Sequence, residues 1–251
     1  MYSDHISVTS LNLCTDQLVF EVADFNQIIS LTYLSSNEKL STISSKVKNI
    51  KKNRGIIDEI IIDNPDIIFS SKGNFKLQNN ILKKLNYKIV ELPIIKTFDD
   101  LRNQIRVISY NLHQPEKGEK IIKNINYVLN KTNQNQKKQK NILVLNPNGY
   151  TSGTKTLLNE IILKAGHVNE AANLGISGFG KLSLEKLAIA NPDILIFDLN
   201  SINKNSLANK YLNHKIIKKL KNESKVIYLN SKIWSCGTVS SVEFVELLSK
   251  Y

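Results

Sequence analysis

The stretch EIIIDNPDII at residues 59–68 recurs in altered form as KLAIANPDIL at residues 186–195. In both copies an apolar, helix-like segment runs into a proline, which ends a helix because it lacks a backbone amide and clashes with the preceding turn. A continuous apolar run follows, as in strands that are buried on both faces. The stretch therefore predicts a helix followed by a buried strand, twice in one chain.

The flanking sequence repeats in the same order. ILKKL at residues 81–85 precedes a predicted strand at 88–92, and IIKKL at residues 216–220 precedes a predicted strand at 225–229. Similarity in matched order is the signature of duplicated structural units. We therefore expect two similar lobes rather than a chance match.

Strands and helices alternate through most of the chain. Residues 6–11 and 27–32 are predicted strands, and Thr15-Asp16 are predicted to cap the helix between them. Such alternation is typical of parallel sheets with crossover helices, so the predicted fold class is α/β, with two Rossmann-like lobes on mainly parallel sheets. Ligands of such sheets lie beyond the carboxyl ends of the strands, and two facing lobes would form a cleft there.

The middle of the chain differs, because apolar residues recur at helical spacing without an intervening strand. They do so between Leu101 and Leu112, and Pro115 suits the first turn of a further helix. We interpret this region as a connector. The predicted organisation is an N-terminal lobe over 1–112, a connecting helix over 113–139 and a C-terminal lobe over 140–251.

The composition excludes several classes of protein. The 251 residues are 41% hydrophobic and 22% charged, as in globular domains, and no apolar run is long enough to span a membrane. The net charge is +12, but arginine occurs only at positions 54, 102 and 106 and the lysines are scattered. Nucleic-acid readers rely on arginine for bidentate contacts, so we expect a solvated basic surface and no nucleic-acid partner.

The first residues and the cysteines leave the compartment open. The segment MYSDH at residues 1–5 has no signal-peptide pattern, so the chain is either cytoplasmic or an exported chain whose leader has been removed. Cys14 and Cys236 lie near opposite ends of the chain. In an exported protein they could form a bridge, and in the cytoplasm they would be two small apolar side chains.

No pattern for catalysis or metal binding appears in the sequence. The four histidines are isolated, without a partner at ligand spacing, and no nucleophile elbow or His-Glu-x-x-His motif occurs. The segment GYTSGTKT at residues 149–156 resembles a phosphate-binding loop, but three residues separate its glycines where that loop needs four. The segment GISGFG at residues 175–180 is predicted to be a loop that displays Phe179. We predict no catalytic residue and no protein-bound metal.

Aromatic residues offer a different kind of site. Tyr33, Tyr150, Phe179 and Trp234 lie in or near loops that follow predicted strands. A single aromatic residue more often packs in the core, where it buries a large area. Four of them outside any periodic stripe favour a cleft for a large, partly apolar ligand.

The ordered set of motifs resembles the substrate-binding proteins of ABC importers for cobalamin and ferric siderophores. It comprises SLNLCTDQL at 10–18, the Asn-Pro-Asp repeat, the helix at 115–131, GYTSG at 149–153 and WSCG at 234–237. The resemblance extends over about residues 6–249. It implies two α/β lobes that are joined by one long helix and hold a metal chelate between them.

The resemblance also implies which residues contact the ligand. The resemblance implies that Tyr33, Tyr150 and Phe179 match cleft aromatics of corrinoid-binding members. It places Trp234 and Cys236 on the loop that closes the C-terminal side of the cleft. Arg54 suits a carboxylate or phenolate of the ligand. The expected ligand contacts are Tyr33, Arg54, Tyr150, Phe179, Trp234 and Cys236.

Members of this family dock to their permease through one acidic residue in each lobe. The matching positions are Asp58 and Glu185, each seven residues before the repeated proline. Glu59 could replace Asp58, since it is adjacent and longer. The helix macrodipole alone also favours an acid in a first turn, so this position has a structural explanation as well.

The resemblance implies a periplasmic or lipid-anchored extracellular protein that is monomeric, has no catalytic activity or cofactor of its own, and delivers a chelate to an ABC permease. Ferric siderophore, haem and cobalamin are the candidate ligands, bound through their organic part. Iron chelates come first, because Arg54 suits an anionic ligand and the aromatic expected near Ser71 is missing. The alternatives are a cytoplasmic two-lobe α/β enzyme, such as a nucleotide-sugar transferase, and a sensor that binds the same chelate.

Overall fold

The structure of the protein is a computed structural model that describes residues 6–73, 75–133, 138–201 and 211–251. It divides into two compact units. Residues 1–95 and 99–124 form the first unit, here called the N-lobe, and residues 96–98 and 125–251 form the second, the C-lobe.

The N-lobe has a five-stranded sheet with the order β3-β2-β1-β4-β5, in which all neighbouring strands are parallel. The central strands are buried, as the apolar runs predicted. Its elements are β1 (Val8–Ser10), α1 (Leu13–Val22), β2 (Ile28–Thr32), β3 (Lys51–Asn53), α2 (Ile57–Asp63), β4 (Ile67–Ser71), α3 (Lys76–Lys84), β5 (Ile89–Leu92), α4 (Phe98–Asn111) and the first part of α5 (Pro115–Asn133).

The C-lobe has a four-stranded parallel sheet with the order β11-β10-β6-β8 and a separate antiparallel ribbon of β7 and β9. The α/β fold class with parallel sheets in both lobes is thus confirmed. The elements are β6 (Asn141–Leu145), β7 (Tyr150–Ser152), α6 (Leu157–Lys164), β8 (Val168–Asn169), α7 (Glu170–Asn173), β9 (Phe179–Lys181), α8 (Leu184–Ile189), β10 (Ile194–Asp198), α9 (Lys215–Glu223), β11 (Lys225–Leu229), α10 (Lys232–Ser235) and α11 (Val239–Leu248).

The repeated aspartate performs the same task in each lobe. The Asp66 carboxylate accepts hydrogen bonds from the amide and hydroxyl of Ser7 at 2.7 and 2.6 Å, just before β1. These bonds lower the pKa of Asp66. The Asp193 carboxylate accepts the amide of Asn141 at 2.7 Å, where β6 begins. Asp66 therefore joins the start of β4 to the start of β1, and Asp193 joins the start of β10 to the start of β6.

The long helix predicted at 113–139 is α5, which has 19 residues. At 1.5 Å per residue it is about 28 Å long. Ile122, Ile125 and Leu129 form its buried stripe. The boundary between the two units falls between residues 124 and 125, within α5. Residues 134–137 of the predicted span lie outside the described residues.

Two local expectations were wrong. Helix α1 begins at Leu13, with the Asn12 side chain accepting the Cys14 amide at 2.9 Å, so Asn12 rather than Thr15-Asp16 is the cap. Phe179 lies in a strand rather than a loop, because β9 pairs with β7. In the described ranges, no helix has the length and apolar character needed to cross a bilayer.

Candidate ligand-binding and docking residues

Tyr33 and Arg54 leave the N-lobe sheet from neighbouring strands. Thr32 at the end of β2 pairs with Asn53 at the end of β3, so the residues that follow them are adjacent at the carboxyl edge. Both Tyr33 and Arg54 are exposed. The structure thus brings these two predicted ligand contacts to one edge of one sheet.

Buried polar side chains fix this edge. The Asn53 amide donates to the Ser10 carbonyl and to the Ser30 hydroxyl, both at 3.0 Å, which joins the edge strand β3 to β2 beside it and to β1 beyond. The backbone amide of Arg54 donates to the Glu59 carboxylate at 2.8 Å. Hydrogen bonds made by Asn53 and by the Arg54 amide therefore fix the backbone that carries the Arg54 guanidinium.

Asp16 lies behind Tyr33 and was assigned only a capping role by its position in the sequence. Its carboxylate is fully buried and accepts hydrogen bonds from the Thr32 amide at 3.2 Å and the Thr32 hydroxyl at 2.5 Å. Burial raises the pKa of Asp16 to about 7, against the opposing effect of hydrogen bonds from Thr32 and Ser10. Asp16 is a functional candidate that the sequence pattern did not reveal.

The β7–β9 ribbon of the C-lobe carries two further predicted ligand contacts, Tyr150 and Phe179. Tyr150 pairs with Lys181, and Ser152 pairs with Phe179. Since alternate residues of a strand point to the same face, Tyr150, Phe179 and Lys181 share one face of the ribbon. Tyr150 is 53% exposed and Phe179 is 80% exposed. Sequence reasoning missed Lys181, because its place depends on the antiparallel register.

The glycines of this region allow close packing rather than phosphate binding. A Cβ on Gly153 would lie 1.8 Å from the Ile176 carbonyl oxygen, and one on Gly149 would lie 2.5 Å from the Tyr211 ring. The Tyr211 hydroxyl donates to the Leu182 carbonyl at 2.6 Å, and Lys181 Nζ lies 5.9 Å from the centre of the Tyr211 ring. Tyr211 therefore supports the ribbon next to Lys181.

Trp234 and Cys236 are buried within the C-lobe. Trp234 in α10 is 7% exposed and stacks on Phe244 of α11, with 5.2 Å between the ring centres. Cys236 is also buried. Their role as ligand contacts stays a prediction. Neither cysteine of the chain is free, since Cys14 and Cys236 are both disulfide-bonded.

The two predicted docking acids occupy equivalent places in their lobes. Asp58 lies in the first turn of α2 and Glu185 in the first turn of α8, and both are exposed. Hydrogen bonds from the Ser183 hydroxyl and from its own amide lower the pKa of Glu185, so it is ionised at neutral pH. Glu59, the predicted substitute for Asp58, instead accepts the Arg54 amide.

Two of the histidines in the described residues have structural partners. The buried His167 contacts the Leu248 carbonyl through Nε2 at 3.0 Å, and His214 accepts the Ile216 amide at the start of α9. Within the part of the chain that the structure describes, no three His, Cys, Asp or Glu side chains are grouped to hold a metal ion.

Comparison with solved structures establishes the fold. The heme-binding protein HutB of Vibrio cholerae matches with a TM-score of 0.81 and 16% identity, over 98% of each chain. The periplasmic heme-binding protein RhuT from Roseiflexus sp. RS-1 matches with a TM-score of 0.78 and 16% identity, over 98% of each chain. The vitamin B12 binding protein BtuF of Vibrio cholerae matches with a TM-score of 0.73 and 17% identity, over 98% of this chain and 96% of its own.

No curated protein matches the sequence significantly. The sequence profile of the periplasmic binding protein family, in contrast, matches residues 8–231, from the first strand of the N-lobe to the turn after β11. The match therefore includes both parallel sheets and the helix between them. The chain belongs to the periplasmic binding protein family.

Proposed function

We propose that this protein captures an anionic metal chelate, a ferric siderophore or haem ahead of cobalamin, and delivers it to an ABC permease. Its family consists of substrate-binding transport proteins rather than enzymes. The observation that carries the proposal is the shared face of Tyr150, Phe179 and Lys181 on the β7–β9 ribbon.

Two exposed aromatic rings on this face suit a large, flat, partly apolar ligand. They occupy diagonal positions of an antiparallel pair, which places such side chains about 7–8 Å apart. Burial of both rings under a ligand would remove apolar surface from water, which is favourable. Solvent-exposed rings side by side are therefore better explained by ligand binding than by packing of the free protein.

A cation accompanies the aromatic residues in each lobe. Lys181 lies beside Tyr150 on the ribbon, and Arg54 leaves the N-lobe sheet beside Tyr33. A cation next to an aromatic ring suits a chelate that carries carboxylates or phenolates as well as an apolar body. The same combination in both lobes supports an anionic chelate over a corrinoid.

The chelate would be held through its organic part. In this proposal the metal ion is part of the cargo and is coordinated by the chelate itself. HutB and RhuT, which are named as heme-binding, and BtuF, which is named as vitamin B12 binding, share this fold. We further propose that the protein acts in the periplasm or anchored outside the cell.

Neither alternative role gains support from a specific observation in the described residues. Uptake of ⁵⁵Fe-labelled chelate distinguishes the proposed transport role from the enzyme and sensor alternatives. Deletion of the gene should abolish uptake of one chelate, and expression of the intact protein should restore it. Uptake that continues unchanged after deletion would overturn the proposal, and a changed transcriptional response with normal uptake would indicate the sensor.

A further inference from the structure

The two lobes each expose one isoleucine at the same position of the internal repeat. Ile62 on α2 is 79% exposed and Ile189 on α8 is 75% exposed. Each lies four residues after the predicted docking acid and three residues before the repeated proline. We infer that the pairs Asp58–Ile62 and Glu185–Ile189 are composite docking surfaces for an ABC permease, an inference that rests on the transport role proposed above.

Residues four apart on a helix are neighbours on one face, about one turn apart. Asp58 and Ile62 both lie within α2, and Glu185 and Ile189 both lie within α8. Each acid is thus placed beside its isoleucine. The residues that pack these helices onto their lobes, Ile60 and Leu187, are fully buried and also occupy matching positions of the repeat.

Comparison of the two repeat copies shows why these isoleucines are unusual. Five of the ten positions are identical, and four of these are explained by the fold. The asparagine follows the helix, the proline ends it, the aspartate ties neighbouring strands together, and the next isoleucine is buried. The fifth is the isoleucine at positions 62 and 189, which is exposed in both copies.

A single exposed isoleucine is common on protein surfaces and needs no explanation. Here the neighbouring positions have changed between the copies, Ile61 to Ala188 and Asp63 to Ala190, while the exposed isoleucine has not. A surface that keeps an apolar side chain beside an acid in both lobes fits a partner that supplies a basic residue within an apolar setting.

Nearby lysines are engaged by other groups. Lys51 forms an ion pair with Asp63, and the Lys186 ammonium donates to the Leu174 carbonyl at 2.7 Å. These contacts hold both cations to partners other than the docking acids. On a chain with a net charge of +12, two acidic positions beside exposed isoleucines favour a basic protein surface as the partner over an anionic lipid surface.

The test measures binding of the full-length protein to the purified chelate-importer permease of its source organism, held with its ATPase subunits in phosphatidylcholine nanodiscs. The variants are Ile62→Ser with Ile189→Ser, and Asp58→Ala with Glu185→Ala. Ile94→Ser with Leu163→Ser is the matched control, because these two side chains are also exposed and apolar. Thermal unfolding and chelate affinity are measured for each variant.

We expect the isoleucine variant to bind the permease at least about tenfold more weakly, with chelate affinity unchanged, because burial of each isoleucine contributes to docking. Conversion of both isoleucines to leucine should preserve docking. If the acid variant loses docking and the isoleucine variant does not, the inference is wrong while the transport proposal stands. If the acid variant docks normally, the proposed use of the acids fails. Equal binding to nanodiscs without permease would identify lipid as the partner and overturn the inference.

Discussion

The Asp16 carboxylate accepts both the amide and the hydroxyl of Thr32, at 3.2 and 2.5 Å, and Thr32 directly precedes Tyr33. A fully buried carboxyl thus holds the end of β2, from which a candidate ligand contact leaves the sheet. The position of Tyr33 is therefore coupled to the protonation of a group beneath it.

This coupling predicts a pH dependence of stability. Burial raises the pKa of Asp16 to about 7 from 3.8, so the folded state binds this proton more tightly than the unfolded state. The contribution to the free energy of unfolding is fully present below about pH 4 and is lost as the pH rises through about 7, with a slope of at most about 1.4 kcal/mol per pH unit.

Urea unfolding between pH 4 and pH 8 checks this dependence. Asp16→Asn cannot titrate and keeps a similar shape, so the difference in free energy of unfolding between wild type and variant should change over this range. A difference that stays constant from pH 4 to pH 8 would show that Asp16 does not titrate as described.

Tyr150→Ala should weaken chelate binding by about 1–3 kcal/mol, as for aromatic side chains at binding surfaces, because the exposed ring lies on the ribbon face that we propose as the ligand surface. Phe179→Ala should have a comparable effect. Tyr110→Ala is the control, since Tyr110 is an exposed tyrosine on α4 that is not among the candidate ligand contacts. Isothermal titration calorimetry measures the chelate affinity of all three variants. Equal affinities for wild type and Tyr150→Ala would indicate that Tyr150 does not contribute to ligand binding.

Lys181→Ala should weaken binding of an anionic chelate about threefold to tenfold, because it removes an attractive charge from the proposed ligand surface. The effect should diminish at high salt, since salt screens exposed charges. Lys164→Ala, on the exposed end of α6, removes an equal charge elsewhere in the same lobe. Affinity measured at low and high ionic strength distinguishes the two, and identical losses in both variants would reveal only a general charge effect.

Asp58→Ala combined with Glu185→Ala should leave chelate affinity unchanged and abolish delivery, because both acids are exposed and lie on α2 and α8, the helices that we propose dock to the permease, rather than on the candidate ligand surfaces. Chelate binding by the purified variant and ⁵⁵Fe uptake by cells that express it provide the two readouts. A loss of affinity would place these acids in the ligand site or in the fold.

The intact protein should contain no free thiol. Both cysteines are disulfide-bonded in the structure, and the chain has no third cysteine. Thiol titration in guanidinium chloride without reductant should give zero thiols per chain, and two after reduction. Two thiols before reduction would contradict the disulfide-bonded state of the cysteines.

The long apolar patterns predicted the fold well. The repeated Asn-Pro-Asp stretch predicted two α/β lobes, because an apolar helical segment, a proline and a continuous apolar run are each easily recognised in the sequence. Lys51–Asn53 and the two strands of the ribbon were missed, because each has only three residues and none shows an apolar alternation. Short strands depend on the neighbours they pair with, and those are distant in sequence.

The candidate site was predictable only in part, for the same reason. Tyr33 was found because it directly follows the predicted strand at 27–32, and Tyr150 because it lies near a loop that follows a predicted strand. Lys181 became a candidate only through its pairing with Tyr150. Trp234 follows β11 in sequence, yet a four-residue helix turns it onto Phe244, and no periodicity in so short a helix could indicate that burial.

The measurement that tests the central claim most directly uses Trp234, the only tryptophan of the chain. Its fluorescence would be followed while the purified protein is titrated with haemin, cyanocobalamin and ferric siderophores of the catecholate, hydroxamate and carboxylate classes. We expect saturable, submicromolar quenching at one ligand per chain by one of the anionic iron chelates, and weaker quenching in Tyr150→Ala. No saturable quenching by any chelate, together with saturable binding of a nucleotide, would contradict the account.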